Sequence, residues 1–175
     1  MVNVANLLTL RYDPDAGHHK AIRSISSQEI LKYRQASGSV PSSKEIEAVL
    51  RTKIREKIEE LGPQRLSTAI SAGIDSNVVL CLVKQEFPNM ALDCLTVSFD
   101  NEDDSKSEIR AAKGIAQSYN ADFHEIYVHN PLKDLPLLIS IVKEPRWNIY
   151  QYYFIEKASR ISKVLFTGDG GDELF

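Results

Sequence analysis

A short segment near the middle of the sequence, Ser71 to Ser76, combines glycine, hydroxyl and carboxyl residues in an order that suits phosphate chemistry. An apolar run precedes it and an apolar helical pattern follows it. A glycine-containing turn between a strand and a helix points backbone N–H groups and the positive end of the helix dipole at an anion, and the hydroxyls of Ser71 and Ser76 add donors. The plainer alternative is a Ser/Gly turn that only begins a helix.

A carboxylate, Asp75, lies inside this loop. Phosphate groups repel a carboxylate unless a hard cation lies between them, so Asp75 predicts a Mg²⁺ ion that bridges it to phosphate oxygens. The loop lacks the lysine of the G-x-x-x-x-G-K-[ST] motif. The sequence therefore predicts phosphate chemistry other than transfer of a terminal phosphate.

A second segment, Thr167 to Phe175, also follows an apolar run. Its glycines are Gly168, Gly170 and Gly171, and its acidic residues are Asp169, Asp172 and Glu173. Glycines let the backbone approach a ligand closely, and carboxylates hold a cation or orient an amine nucleophile. A solvated acidic turn is the alternative. If both segments end strands of one parallel sheet, they face the same crevice.

The elements around the two segments follow from hydrophobic periodicity. A capping box of Ser42 and Glu45 predicts a helix that runs to Leu61, where Gly62-Pro63 stops it. Strands are predicted over 66–70, 92–99, 123–128 and 163–167, and helices over 77–86, 107–119, 135–143 and 149–161. This alternation predicts an α/β fold with a parallel sheet and right-handed crossovers. The aromatic residues at 147–154 are interpreted as packing residues.

Residues 1–40 are predicted to form a small β-hairpin and linker that decorate a domain at residues 41–175.

The composition of the chain bears on its partners and compartment. The chain carries 21 Lys+Arg against 24 Asp+Glu, a net charge of -3. It therefore lacks the surplus of basic residues that would predict nucleic-acid binding. Two cysteines, Cys81 and Cys94, fit neither a disulfide framework nor zinc-ligand spacing. The cysteine content favours a reducing compartment, so we expect a cytoplasmic protein. No apolar run is long enough to span a bilayer, so no membrane partner is expected.

The string Ser71-Ala72-Gly73-Ile74-Asp75-Ser76 resembles the PP-loop, S-G-G-x-D-S, of the ATP pyrophosphatases, with Ala72 in place of a glycine. The block from Thr167 to Phe175 resembles S-G-[ED]-G-[AGS]-D-E-[LV]-F. With His124-Glu125 at a strand start and Glu144-Pro145 before a helix, residues 42–175 resemble the synthetase domain of asparagine synthetases.

The resemblance implies a Rossmann-like parallel sheet flanked by helices, of the adenine nucleotide alpha hydrolase type. It also implies that ATP and Mg²⁺ activate the side-chain carboxylate of aspartate as an adenylate with release of pyrophosphate, and that ammonia then gives asparagine. By the same resemblance ATP would contact Ala69, Ser71, Gly73, Ile74, Asp75, Ser76, Phe99, Thr167 and Gly168. Mg²⁺ would bind Asp75 and Asp172, and Asp169 would act as the catalytic residue that orients ammonia or the intermediate.

Two departures from the family bear on the reaction. Val2 follows Met1 where glutamine-using members expose a nucleophilic cysteine, so the nitrogen would come from free ammonia, or from a glutaminase or other ammonia-supplying partner. The family also continues past the glycine-rich block that ends here at Phe175, so we expect the nucleotide half of a longer domain. A module that binds ATP or AMP without catalysis is the alternative. A PP-loop enzyme that modifies tRNA fits the charge balance less well.

Overall fold

A computed structural model describes residues 41–99, 103–142 and 150–169, without the side chains of 103–105 and 142. The helices are α1 (Ser43–Leu61), α2 (Ile74–Glu86), α3 (Asp103–Ser118), α4 (Pro131–Val142) and α5 (Gln151–Ser159). The strands are β1 (Arg65–Ala69), β2 (Ala91–Phe99), β3 (Asp122–Val128) and β4 (Leu165–Phe166). The predicted hairpin falls in residues 1–40, outside the described ranges, so the boundary after residue 40 stays a prediction.

The four strands form one parallel sheet in the order β3-β2-β1-β4. Ala69 of β1 pairs with Leu95 of β2, and Thr68 pairs with Phe166 of β4. The chain moves outward from β1 to β2 and β3, then returns to the other side of β1. This reversal between β1 and β4 is the place where open α/β sheets bind ligands. The predicted α/β class with a parallel sheet is confirmed.

Helices cover the sheet. Helix α2 packs on β1, whereas α3 and α5 both pack on β2 and β3. The main core joins sheet residues to α1, α2 and α3, and it includes Ile54, Ile58, Leu66, Leu80, Val83, Leu92, Cys94, Ala112 and Ala116. Ala69, Leu95 and Val128, which alternation places on the opposite face, are buried as well. Burial on both faces is typical of a parallel sheet and explains the near-continuous apolar runs.

The chain divides into two compact units. One comprises Met1–Ala48 and Leu135–Ile149, and the other comprises Val49–Asp134 and Tyr150–Phe175. All four strands belong to the second unit. In the first unit Ser42 caps α1 as predicted, because its N–H donates to Glu45 Oε2 over 2.7 Å and its Oγ accepts from Glu45 N over 3.3 Å.

Three details differ from the sequence-based prediction. Helix α2 begins at Ile74 rather than near residue 77, because Gly73 already serves as its N-cap residue. Strand β4 has only two residues, because the Ser162 hydroxyl accepts a hydrogen bond from Val164 N over 3.2 Å and removes that donor from the ladder. On α1 the apolar stripe is buried at Ile54 and Ile58 only, and Val49 is 59% exposed.

Within the described ranges, none of the helices combines the length and the apolar character needed to cross a membrane.

Candidate functional site

The loop after β1 is anchored to the neighbouring strand before it turns toward α2. Ile70 N donates to Leu95 O over 2.8 Å, and the buried Thr96 hydroxyl donates to Ile70 O over 2.8 Å. Both bonds fix the backbone at Ile70, the buried residue that directly follows β1. The six residues from Ser71 to Ser76 therefore begin from a rigid support at the carboxyl edge of the sheet.

A network of hydroxyl groups shapes the loop itself. Ser71 N donates to Ser76 Oγ over 3.1 Å, and Gly73 N donates to Ser71 Oγ over 3.0 Å. The two hydroxyl oxygens lie 3.1 Å apart, and Ser76 Oγ also lies 3.2 Å from Gly73 O. Each hydroxyl has one proton. If Ser76 donates to Ser71, the Ser71 proton is free for a ligand, whereas if Ser76 donates to Gly73 O, Ser71 can donate back to Ser76.

Sequence reasoning expected both hydroxyls to donate to phosphate. Ser76 is only 8% exposed and its oxygen already has three partners in the loop. Ser76 therefore holds the loop in shape, and Ser71 is the better placed of the two to donate to a ligand.

Asn77, which sequence reasoning did not single out, holds the loop through hydrogen bonds to its backbone carbonyl groups. Its Nδ2 donates to Ser71 O over 3.3 Å and to Gly73 O over 2.5 Å. Both carbonyl oxygens are thereby held toward α2. Its Oδ1 is buried and has no partner among the described residues. The feature of the sequence that could have indicated this role is the amide side chain one residue after the loop.

The second loop touches the first at a glycine. A Cβ atom on Gly168 would lie 2.5 Å from Ser76 N and 2.9 Å from the Asp75 carbonyl carbon. Backbone atoms cannot yield to such a contact, so only glycine fits at this position. Gly73 differs, since its φ of -71° is open to any residue and an added Cβ would meet only Ser71 Oγ, at 3.1 Å.

A cleft of about 230 Å³ opens between the two loops at the β1–β4 edge. Its described walls comprise Ala69, Ile70, Ser71, Gly73, Asp75, Ser76, Tyr150, Phe154, Thr167, Gly168 and Asp169. Eight of the residues expected from sequence thus meet in one place: Ala69, Ser71, Gly73, Asp75, Ser76, Thr167, Gly168 and Asp169. Ile74, 76% exposed, and Phe99, at the end of β2, are described but do not line it. Asp172 lies outside the described residues.

The electrostatics of the cleft combine a helix terminus with two carboxylates. No side chain caps the N-terminus of α2 at Gly73, so its first N–H groups keep their capacity for an anion. Asp75 and Asp169 are the charged residues in the described lining. Carboxylate oxygens suit a hard cation such as Mg²⁺, although no group of three or more His, Cys, Asp or Glu side chains gathers in the described ranges. The ion would thus need oxygens from phosphate or from further residues.

Two aromatic residues in the lining, Tyr150 and Phe154, were interpreted from sequence as packing residues. The structure places both on the cleft, Tyr150 as the N-cap residue of α5 and Phe154 inside the helix. Periodicity cannot separate a ring that faces the core from one that faces a cleft. Their position just before the strand that carries the second loop was the only signal.

His124 lies away from the cleft, in a charged cluster toward the amino ends of the strands. Its Nε2 lies 2.6 Å from Oδ1 of Asp93, which is 1% exposed, and Arg65 Nη2 donates to the same carboxylate over 3.0 Å. The hydrogen bond to Asp93 raises the pKa of the Arg65 guanidinium above its ordinary value. His124 is thus a structural residue near the start of β3.

Comparison with known proteins adds to this geometry. The chain is 29% identical over 158 residues to the glutamine-dependent NAD(+) synthetase of Aquifex aeolicus (strain VF5). The aligned region covers 86% of this chain and 23% of that protein. The chain therefore spans about a quarter of the length of this curated relative.

Two solved structures resemble the fold. The U34-tRNA thiolase NcsA from Methanococcus maripaludis has a TM-score of 0.51 and 15% identity, over 69% of this chain and 44% of that one. The NH3-dependent NAD synthetase from Campylobacter jejuni has a TM-score of 0.43 and 19% identity, over 59% of this chain and 42% of that one. The sequence match that decides the family covers residues 45–175 and with them both loops of the cleft. The chain belongs to the asparagine synthase family.

Proposed function

We propose that this chain carries the nucleotide site of an ATP-dependent, AMP-forming amide synthetase. The observation that carries the proposal is the contact of Gly168 with the Asp75–Ser76 backbone, which joins two chemically equipped loops into one cleft at the strand reversal. Membership of the asparagine synthase family supports the same reaction class. Aspartate is the first acid to test, because the family is named for the synthesis of asparagine, which is the amide of aspartate.

In the proposed reaction an oxygen of the acid's carboxylate attacks the α-phosphorus of ATP. An acyl–O–P bond forms, the bond from the α-phosphorus to pyrophosphate breaks, and pyrophosphate leaves with the electron pair. Ammonia then attacks the acyl carbon, the C–O bond to AMP breaks, and the nitrogen loses a proton. Both steps build negative charge, so donors fixed in advance are what the protein must supply.

The first loop supplies those donors. The Ser71 hydroxyl and the uncapped N–H groups at the start of α2 would hold pyrophosphate, with Gly73, Ile74 and Ser76 shaping or extending this cradle. Asn77 keeps the loop carbonyls turned away from the phosphates. When bound, Mg²⁺ would supply the positive charge that lets Asp75 and Asp172 lie beside phosphate oxygens.

The adenosine would lie against the strand ends, at Ala69, Phe99, Thr167 and Gly168. Asp169, an exposed carboxylate on the second loop and in the cleft lining, would orient ammonia or the acyl intermediate. An ionised carboxylate accepts hydrogen bonds from an attacking amine, and this suits it to that role. Its position in the same cleft as Ser71 supports the assignment.

The source of nitrogen is a further part of the proposal. The relative from Aquifex aeolicus is named as glutamine-dependent, and this chain corresponds to about a quarter of its length. Ammonia would reach this cleft from solution, or from a glutaminase or another ammonia-supplying partner.

The products of ATP test the reaction class. The chain is incubated with Mg²⁺, ATP, aspartate and ammonia, and the nucleotide products are separated chromatographically. AMP with an equal amount of pyrophosphate is expected, and ADP with phosphate would contradict the proposal. Nucleotide binding without turnover of any acid would instead support the alternative, a binding module that holds ATP or AMP.

A further inference from the structure

Two aromatic side chains form one wall of the cleft, and the proposed contacts assign them no ligand. Tyr150 is the N-cap residue of α5, Phe154 lies inside that helix, and both line the cleft. Their ring centroids lie 6.3 Å apart with an interplanar angle of 80°, an edge-to-face arrangement. A flat ligand can therefore lie face-on to one ring while it meets the other edge-on. Tyr150 is 38% exposed and Phe154 is less exposed, so Tyr150 offers the larger free surface.

A third aromatic residue of α5 holds the helix in place. Tyr153 is buried, and its hydroxyl donates to Asp134 Oδ2 over 3.0 Å. It does not belong to the described lining of the cleft. Tyr153 thus serves the interior, whereas Tyr150 and Phe154 face the cleft from a fixed helix.

The aromatic wall and the phosphate loop come from opposite faces of the sheet. Ala69 and Leu95 lie on the face away from the main core, and among the described residues α5 contributes none to that core. The first loop leads instead into α2, which buries Leu80 and Val83 in the core. The cleft therefore has a polar side, formed by the loop and the start of α2, and an apolar side formed by α5.

The charges of the lining sort the parts of the proposed substrates. Asp75 and Asp169 repel phosphates, which therefore need the N–H groups at the start of α2 or a cation. The same two carboxylates attract the ammonium group of aspartate. The base of ATP is flat and uncharged, so it gains from contact with apolar rings. Aspartate has no ring, and contact with the aromatic wall therefore falls to the base.

We propose that the aromatic wall holds the base of the nucleotide, which stacks on Tyr150 and meets the edge of Phe154. The inference rests on the proposed function, which gives the cleft volume of about 230 Å³ to the nucleotide. The two rings set the affinity for the base, whereas the Ser71–Ser76 loop sets the affinity for the phosphates. Three residues proposed to contact adenosine line the same cleft, namely Ala69, Thr167 and Gly168.

Mg–ATP and Mg–tripolyphosphate are matched probes, because both carry three linked phosphates and only ATP carries a base. They are titrated calorimetrically into the complete 175-residue chain, and adenosine, which has no phosphate, is titrated beside them. Mg–ATP is expected to bind at least about tenfold more tightly than Mg–tripolyphosphate, because stacking adds to the contacts of the phosphates.

Tyr150→Leu is expected to weaken Mg–ATP at least about fivefold, as loss of a stacking ring does, and to leave Mg–tripolyphosphate within about twofold. Phe154→Leu should weaken Mg–ATP less, because its ring meets only the edge of the base. Tyr150→Phe keeps the ring and should restore the affinity for Mg–ATP. Tyr152→Leu, which removes a ring of α5 outside the described lining, is the matched control. Thermal unfolding identifies any variant that fails to fold.

Stacking also has a signature in NMR spectra. Nuclear Overhauser effects between adenine H2 or H8 and the Tyr150 ring protons are expected in the wild-type chain. Loss of Mg–ATP and Mg–tripolyphosphate binding in equal measure, in a folded Tyr150→Leu chain, would overturn the inference, because the ring would then only support the loop. An unchanged affinity for Mg–ATP in that variant would overturn it as well.

A titration with aspartate separates the base from the acid. If Tyr150→Leu weakened aspartate binding in the presence of a non-hydrolysable ATP analogue, and bound the analogue normally, the wall would hold the acid and the inference would be overturned. Equal affinities of the wild-type chain for Mg–ATP and Mg–tripolyphosphate would overturn it too, and would leave the proposed phosphate site standing. Adenosine binding that depends on Tyr150, in a chain that binds no tripolyphosphate, would support the inference and count against the proposed function.

Discussion

At the scale of single residues, the cleft depends on Gly168, where a glycine is required by the close approach of another backbone segment and not by a positive φ. Gly168 lies so close to the Asp75–Ser76 backbone that a methyl group would overlap it. Gly114, on α3, has open space around the position of an added Cβ. The two glycines therefore predict opposite results for the same substitution.

Gly168→Ala is expected to lower the free energy of unfolding by about 1–3 kcal/mol, because it forces the loops apart, and to weaken binding of Mg–ATP at least tenfold. Gly114→Ala should raise the free energy of unfolding by about 0.5–1 kcal/mol, because alanine is favoured over glycine inside a helix. Urea unfolding and calorimetric titration measure both. An unchanged Gly168→Ala variant would contradict the contact.

Asn77 offers a second test at this scale. Asn77→Ala removes the donors to Ser71 O and Gly73 O, and it should cost about 1–3 kcal/mol of stability. Pyrophosphate binding should weaken, because the loop carbonyls are then free to turn toward the ligand. Asn77→Gln serves as the comparison, since it keeps an amide donor on a longer stem. Equal pyrophosphate affinity in the wild-type and alanine chains would count against a positioning role.

At the scale of elements, α1 and α2 are joined through one carboxylate. Glu86 accepts a hydrogen bond from Arg51 Nη1 over 2.8 Å and from Arg55 Nη2 over 2.5 Å. The hydrogen bonds from Arg55 and Arg51 hold the pKa of Glu86 below its ordinary value. A carboxylate with a lowered folded-state pKa stabilises the fold at neutral pH and loses that contribution as the pH falls through the lowered value.

Glu86→Gln is therefore expected to reduce stability at neutral pH and to make stability less dependent on pH in the acidic range, below the ordinary pKa of a glutamate. Urea unfolding from neutral to acidic pH measures the difference between the two chains. The exposed Glu108 of α3 provides the control, Glu108→Gln. A difference that stays constant across the acidic range would contradict this account of the α1–α2 contact.

The elements themselves were largely predictable from the sequence, and the contacts between them were not. The apolar run at 66–70 and the capping box at Ser42 indicate β1 and α1 directly, because each depends on neighbours in the chain. The contact of Gly168 with Asp75 depends on the pairing of β1 with β4, residues almost a hundred positions apart, and no local pattern encodes it. The position of Phe154 on the cleft has the same origin.

At the scale of the whole molecule, the charged cluster around Asp93 and the proposed nucleotide site lie at opposite ends of the strands. Asp93, with Arg65 and His124, lies toward the amino ends of the strands, whereas the cleft lies at their carboxyl ends. Loops at the carboxyl edge can therefore vary for function while the opposite half of the sheet supports them.

Asp93→Asn tests this separation. The change removes a buried charge that accepts from Arg65 and contacts His124, and loss of charge-assisted hydrogen bonds should lower the free energy of unfolding by about 1.5–3 kcal/mol. In the folded variant the affinity for Mg–ATP should remain within about twofold of the wild-type value. A large loss of nucleotide affinity in a folded Asp93→Asn chain would contradict the division of roles.

The most direct test of the central claim is a calorimetric titration of the wild-type chain and of Asp75→Asn with ATP, in Mg²⁺ and in EDTA, with Gly114→Ala as the matched control. With Mg²⁺ we expect the wild-type chain and the control to bind and Asp75→Asn to bind at least about tenfold more weakly, a difference of about 1.4 kcal/mol. In EDTA the order should reverse, because the carboxylate then only repels phosphate. A folded wild-type chain that binds no Mg–ATP, or an Asp75→Asn variant weakened equally in both conditions, would contradict a cation-bridged nucleotide site in this cleft.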